Sequence, residues 1–240
     1  MKEKDFRAFA EHYDQLYSQM KNYEKEAETV SNIIRKFEHR KSKTLLDVGC
    51  GTGEHVKHLV SNFKCTGIDI NSRMVKIAKS KVPEAKFKVA DMTNFSLKSK
   101  FDVIISLFSA VGYVKNFNNL VKTFGNMRRH LNDEGLVIVE PWVFKEDFIK
   151  GHVSLDTIEE ENLKFARMAA SKITGPKWTI VMHYLVGKEG KVNYFKETHT
   201  MLVLSCSDYV EAFKRAGFRN TRYVTDKLWR RCRGLFVASA

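Results

Sequence analysis

At 240 residues, 43% of them hydrophobic, the chain can form one domain of ordinary size with a real core, or one domain carrying an insertion. Only three prolines, no Ser/Gly-rich stretch and no internal repeat argue against a flexible linker or a repetitive architecture. The net charge of +13 suits a Lys-rich solvated surface, an anionic small substrate or RNA, and without an aromatic-interleaved basic module it does not select among them.

The first twenty residues are charged and polar-interrupted, which reads as helix rather than signal peptide, and no apolar run approaches a membrane span. Phe6, Phe9, Tyr13, Leu16 and Tyr17 recur at helical spacing. A second helix is predicted over 22–37, with Ala27, Val30, Ile33, Ile34 and Phe37 on one face. Strands and helices then alternate. Strand-like runs fall at 44–48, 65–70, 86–89, 101–107 and 136–140, with helical segments at 54–62, 72–81 and 119–131 between them. Asn71-Ser72 has the form of a helix N-cap, and Asp133-Glu134-Gly135 that of a turn before the fifth strand. Repeated βαβ units imply a parallel sheet with helices on both faces.

After Pro141 the period changes. Alternating runs at 153–158, 163–173, 178–186 and 191–205 are partly separated by Thr174-Gly175-Pro176 and Gly187-Lys188-Glu189-Gly190. They predict an antiparallel β insertion within 144–206. A helix over 207–216 and strands near 218–224 and 234–238 follow. The cysteines Cys50, Cys65, Cys206 and Cys232 form no C-x-x-C pair and lack metal-ligand spacing. No metal is expected, and a reducing cytoplasm is.

Ligands of open α/β sheets bind beyond the carboxyl ends of the strands. The first strand ends in Asp47-Val48-Gly49-Cys50-Gly51-Thr52-Gly53, with glycines at alternate positions where the backbone must turn tightly or admit a ligand. The third glycine comes one residue too early for the G-x-G-x-x-G dinucleotide fingerprint. The second strand ends at Asp69, which can accept both hydroxyls of a ribose or cap the helix at Ser72. The third leads to Ala90-Asp91-Met92, where Asp91 taken singly is equally an ordinary turn residue. The fourth ends in Leu107-Phe108-Ser109-Ala110-Val111-Gly112-Tyr113; Tyr113 can orient or deprotonate an amine, or simply pack in a core. The fifth ends in Glu140-Pro141-Trp142.

The Asp47–Gly53 turn, in register with Asp69 and Asp91, resembles motif I of class I S-adenosylmethionine (SAM) dependent methyltransferases. The resemblance implies an α/β fold, a Rossmann-like class I methyltransferase sheet with N-terminal helices and an antiparallel β insertion after strand 5. It implies a single domain over 1–240 with a helical lid over 1–40. SAM would be held by Asp47, Gly49, Cys50, Gly51, Gly53, Asp69, Ile70, Asp91, Met92 and Leu107, and released as S-adenosylhomocysteine. The D/N-P-P-Y/F tetrapeptide of many amide and base methyltransferases is missing after strand 4, which disfavours those acceptors.

A narrower resemblance rests on Glu140-Pro141-Trp142 with Phe144 and Phe148, Gly151-x-Val153-Ser154, Met182-His183-Tyr184-Leu185-Val186, Glu197-x-His199, Arg233-Gly234-Leu235-Phe236 and Tyr13-Asp14. These look like the nucleotide-sugar N,N-dimethyltransferases, which methylate the amino group of deoxyaminosugars. That resemblance implies a lid containing Tyr13 and Tyr23. It implies a sugar site formed by Ser109, Tyr113, Glu140, Trp142 and His183, with Arg233 reaching the diphosphate. Tyr113 and Tyr13 are the candidate catalytic groups. The lid lacks the family's glycines between its tyrosines, and Arg230-Arg231-Cys232 replace small residues. The expected activity is SAM-dependent N-methylation of a small amine, an anionic nucleotide-linked aminosugar above all, by a cytoplasmic homodimer that binds neither nucleic acid nor membrane. Methylation of an amino acid or peptide α-amine, RNA or tRNA methylation, and a non-catalytic SAM-binding regulator stand as alternatives.

Overall fold

The computed structural model describes residues 10–38, 41–161, 163–225 and 234–239. Phe6, Phe9 and Arg233 lie outside them. Two helices lead, α1 (Ala10–Met20) and α2 (Tyr23–Phe37). The Asn22 side chain accepts from the Lys25 amide and starts α2, whose apolar stripe of Ala27, Val30, Ile33 and Ile34 is buried. The alternating part follows as β1 (Thr44–Val48), α3 (Glu54–Leu59), β2 (Lys64–Asp69), α4 (Ser72–Lys81), β3 (Lys86–Val89), β4 (Phe101–Ser106), α5 (Phe117–Arg129) and β5 (Leu131–Val139). The chain ends with α6 (Cys206–Arg215), β10 (Asn220–Thr225) and β11 (Gly234–Ser239).

These strands form a seven-stranded sheet in the order β10-β11-β5-β4-β1-β2-β3. Pairs from β3 to β5 are parallel, while β11 runs antiparallel to both β5 and β10. Strand order reverses between β1 and β4, and that crevice is where ligands of such sheets bind. One face packs Ile34, Val56, Leu59, Val75 and Ala78 from α2, α3 and α4. The other packs Phe124 of α5 stacked on Phe213 of α6, ring centroids 4.0 Å apart.

The fifth strand starts earlier than its sequence suggests. Residues 133–135 make a bulge inside β5 rather than a turn before it: the pairing with β4 shifts between Phe101 and Val103, and Glu134 has φ +62°. Helix α3 is shorter than expected, stopping at Leu59.

The predicted insertion is a separate four-stranded antiparallel sheet in the order β6 (Val153–Glu160), β7 (Leu163–Thr174), β8 (Lys177–Lys188) and β9 (Lys191–Leu202). Its side chains alternate, so Phe165, Ala169, Ile180 and Tyr184 are buried while Leu155, Met168, Leu185 and Tyr194 face outward and exposed. The inner face meets α1. The buried Arg167 guanidinium donates to Asp156 at 2.6 and 3.0 Å and to the Tyr17 hydroxyl at 3.1 Å.

Candidate active site

The turn after β1 is fixed by its own backbone and by the end of β2. The Gly49 and Cys50 amides both donate to the Ile68 carbonyl, at 2.8 and 3.0 Å. Gly49 has φ +83°, and a Cβ there would sit 2.6 Å from that of Ala110, so the loop runs too close to the β4 side for any side chain. Gly53 has φ +81° and begins α3.

Asp69 ties the turn together. Its carboxylate accepts from the Gly51 amide at 3.0 Å and from the Asn71 amide at 2.8 Å. The α4 cap is supplied by Asn71, whose side chain accepts from the Arg73 and Met74 amides, which leaves Asp69 at the cavity rather than on the helix. Burial pushes the Asp69 carboxyl up against the pull of these bonds. Asp47 lies under the turn, 1% exposed; burial first, then the nearby Asp69 charge, pushes it up to about 8. A cation placed between the two acids would reverse that cost, and a SAM amino-acid end carries one. Asp91 accepts from the amide and hydroxyl of Thr93 at 2.8 Å each while lining the cavity, so the turn and ligand readings of Asp91 hold together.

One cavity spans this crevice. At one end it is lined by Gly49, Gly51, Asp69, Ile70, Asp91 and Met92, continuing past Leu107. At the other it is lined by Tyr13, Tyr113, Trp142 and the inner face of the antiparallel sheet through Ile180, Met182 and Met201. The first end offers close backbone, carboxylates and apolar faces, which fits SAM. Tyr13 is held protonated, its pKa raised well above the usual phenol value, mainly by burial and then by Tyr23, Tyr17 and Tyr113. The Trp142 indole is buried, and its Nε1 has no hydrogen-bond partner among the described residues.

Other expected residues support the cavity from outside it. Ser109 donates to the Pro141 carbonyl at 2.9 Å, and Glu140 accepts from the Phe108 amide at 2.5 Å. Both stitch the β4 end to the β5 end, at a point where Phe108 and Ser109 both take positive φ, rather than lining the chamber. Tyr23 packs edge-on against His55, ring centroids 5.0 Å apart. Cys50 is buried behind the turn. His183 is not brought to the site. It projects from the outer face of β8, opposite to Met182 and Tyr184, and its Nδ1 lies 2.7 Å from the exposed Tyr194 hydroxyl. Sequence reasoning missed Tyr17, Phe108, Ile180, Met182 and Met201, which also line the cavity. They are apolar or aromatic side chains whose local sequence does not single them out as lining residues, and the packing of α1 and the antiparallel sheet against the main sheet brings them together.

Residues 45–135 match the methyltransferase domain family. The chain is 34% identical over 213 residues to dTDP-3-amino-3,4,6-trideoxy-alpha-D-glucopyranose N,N-dimethyltransferase of Streptomyces venezuelae, spanning 88% of this chain and 90% of that protein. The chain belongs to this family of nucleotide-sugar N,N-dimethyltransferases. It is a SAM-dependent methyltransferase. A second relative, dTDP-3-amino-3,6-dideoxy-alpha-D-glucopyranose N,N-dimethyltransferase of Streptomyces fradiae, is 32% identical over 87% of this chain and 82% of that protein. The fold of this methyltransferase superposes on the crystal structure of Streptomyces venezuelae DesVI with a TM-score of 0.89 and 33% identity, covering 95% of this chain and 97% of that one. It matches SAM-bound CalS10, an amino pentose methyltransferase of Micromonospora echinaspora, with a TM-score of 0.87 and 31% identity, over 95% of each chain. No helix among the described residues is long and apolar enough to cross a membrane.

Proposed function

We propose that the enzyme N,N-dimethylates the amine of a deoxyaminosugar carried on a nucleotide diphosphate. The observation that carries this reading is the near-full-length similarity to enzymes named for that reaction on dTDP-linked amino sugars. The geometry supports it. A single cavity joins the cofactor end to a chamber bounded by Tyr13, Tyr113 and Trp142. The charge of +13 suits an anionic acceptor, and the reading places Arg233, outside the described residues, at the diphosphate.

Bound SAM supplies a methyl on a sulfonium; the amine lone pair forms the new N–C bond while the C–S pair returns to sulfur. The chain's part is placement and exclusion of water. In this reading Asp47 faces the cofactor's charged end, Asp69 the ribose and Asp91 the adenine amino group. Tyr13, roofing the chamber from α1, and Tyr113 hold the amine nitrogen towards the methyl. The domain assignment, with a lid over 1–40 and an insertion over 144–206, belongs to the same reading, as does a cytoplasmic location for the free thiols Cys50, Cys65 and Cys206.

We also infer a homodimer that covers the outer face of the antiparallel sheet, where the cross-strand pairs Leu155–Met168 and Leu185–Tyr194 are exposed. Sedimentation is expected to show a dimer that Met168→Glu converts to monomer; a monomeric wild type contradicts it. Incubation with SAM and a panel of thymidine- and uridine-diphosphate amino sugars, read by mass, tests the activity. Methylation of glycine or peptides with none on the nucleotide-linked amines would replace this acceptor.

A further inference from the structure

Tyr113 is not an isolated hydroxyl at the chamber wall. Its Oη lies 3.1 Å from Nδ1 of His199, and Nε2 of His199 lies 3.3 Å from a carboxylate oxygen of Glu197. His199 is 2% exposed and pairs with Ile180 of β8, which lines the chamber. The row Tyr113–His199–Glu197 therefore starts at the cavity and continues along β9 to the less buried Glu197. The Tyr113 and His199 rings meet edge-on with centroids 5.9 Å apart.

The chemistry of the three groups sets the direction of the bonds. A carboxylate oxygen only accepts, so in neutral His199 the proton sits on Nε2 and Nδ1 is bare. Tyr113 then donates to Nδ1, and a phenol that donates its proton in this way can still accept from a ligand N–H. Such an arrangement does more than fix the tyrosine ring. It offers the phenol a proton acceptor that a carboxylate stabilises once charged.

We propose that His199, oriented by Glu197, takes the Tyr113 proton so that Tyr113 can take the proton the acceptor amine loses around each methyl transfer. The inference rests on the N-methylation of a small amine given above. An ammonium has no lone pair to form the N–C bond, and each transfer to a neutral amine creates a new ammonium. In the step, the ammonium N–H bond breaks and its pair stays on nitrogen. That proton joins Tyr113 Oη, while the phenol's own proton moves to His199 Nδ1. The phenol is restored, the imidazolium faces Glu197, and release of its proton to solvent resets the row. His199 and Glu197 act through Tyr113 and are positioning residues, absent from direct contact with the reacting atoms.

Among the described residues, the charged and titratable surroundings of the row include Glu197 from β9 itself, Tyr113 from the turn after β4, Tyr184 of β8, Arg167 of β7, and Tyr13 and Tyr17 of α1. Arg167 is already matched by Asp156, which leaves Glu197 as the carboxylate beside the imidazole.

The first test needs no substrate. In protein labelled with 15N-histidine, with His199→Gln assigning the resonance, neutral His199 is expected as the Nε2–H tautomer; the Nδ1–H tautomer overturns the proposal. The second test is the pH profile of kcat with whichever amine the wild type methylates. His199→Gln is expected to lose about a hundredfold in kcat near pH 7. The loss is expected to shrink as pH approaches about 10, where an ordinary amine is neutral unaided. The SAM Kd stays as in wild type. Glu197→Gln is expected to show the same pH-dependent pattern at smaller amplitude. A loss equal at every pH, or no loss, leaves only a structural role and overturns the relay. If the wild type methylates a different amine, the nucleotide-sugar reading fails while the relay is still judged on that amine; if it methylates none, the tautomer decides.

Discussion

The two ends of the cavity are built in opposite ways. The cofactor end is made by consecutive strand ends of one parallel sheet, through backbone turns and the acids Asp69 and Asp91, with Asp47 beneath. The acceptor end is assembled from α1, the β4 and β5 ends and the inner face of a second sheet, with no two of Tyr13, Tyr113, Trp142, Ile180 and Met201 adjacent in sequence. A site at the ends of neighbouring strands is set by the sheet itself and leaves a short motif. A site between two sheets is set by how those sheets pack, and leaves only scattered fragments such as Glu140-Pro141-Trp142 and Tyr13-Asp14.

The sharpest way to break this comparison is Asp69→Ala. The carboxylate holds the glycine turn through the Gly51 amide, and in the proposed reading it also accepts from the ribose hydroxyls. Hydrogen bonds to charged groups contribute about 1.5–3 kcal/mol each, so two such ligand bonds amount to about 4 kcal/mol, or about a thousandfold in SAM Kd. Calorimetric titration with SAM is expected to show that loss, with acceptor affinity spared. If acceptor binding falls equally in the absence of SAM, the two ends are one cooperative unit. Tyr113→Phe probes the other end: kcat is expected to fall about a hundredfold while the SAM Kd holds. Loss of SAM binding in that variant would place Tyr113 in the cofactor half.

This division explains what the sequence could and could not reveal. Motif I, Asp69 and Asp91 are each local, and the βαβ rhythm places them at one edge of a parallel sheet, so the sheet and a candidate cofactor end are legible in the sequence, while the strand order is not. The insertion's strands are legible from period-two alternation, but alternation does not say which face turns inward, and the structure turns His183, expected at the sugar site from the resemblance, to the outer face. Glu140 and Ser109 carry chemistry-bearing side chains beside the site, yet both are consumed in bracing the β4 and β5 ends. Nothing in the spacing of Glu197-x-His199 indicates that β9 lays it against a turn 86 residues earlier. The bulge in β5 escaped because Asp133-Glu134-Gly135 has turn composition, while the flanking pairs to β4 keep the chain in the strand.

A smaller effect is expected at Trp142. Its buried Nε1–H lacks a partner among the described residues and waits at the acceptor end. Trp142→Phe keeps most of the apolar contact and removes that donor. One neutral hydrogen bond is worth about 1 kcal/mol, so the acceptor KM is expected to rise about fivefold with the SAM KM unchanged. No change in acceptor KM would mean that the indole serves only its packing against Trp178, whose ring it meets edge-on at 5.5 Å.

The smallest effect is the most diagnostic of the cofactor end. Burial first, then the Asp69 charge, pushes the Asp47 carboxyl from the ordinary carboxylate range up to about 8. The neutral acid is therefore the form that the empty fold prefers. Its contribution to stability is fully present below pH about 4 and is lost as pH rises through about 8. Asp47→Asn stays neutral throughout. Without SAM the variant is expected to melt higher than wild type at pH 8–9, by about 3 °C, with the gap closing towards pH 4. With saturating SAM the sign reverses, because the wild-type carboxylate gains a cation beside it and the amide does not, so wild type melts higher. Thermal melts of both proteins across that pH range, with and without SAM, give the four curves needed. Shifts of the same sign in both forms would separate Asp47 from the charged end of the cofactor.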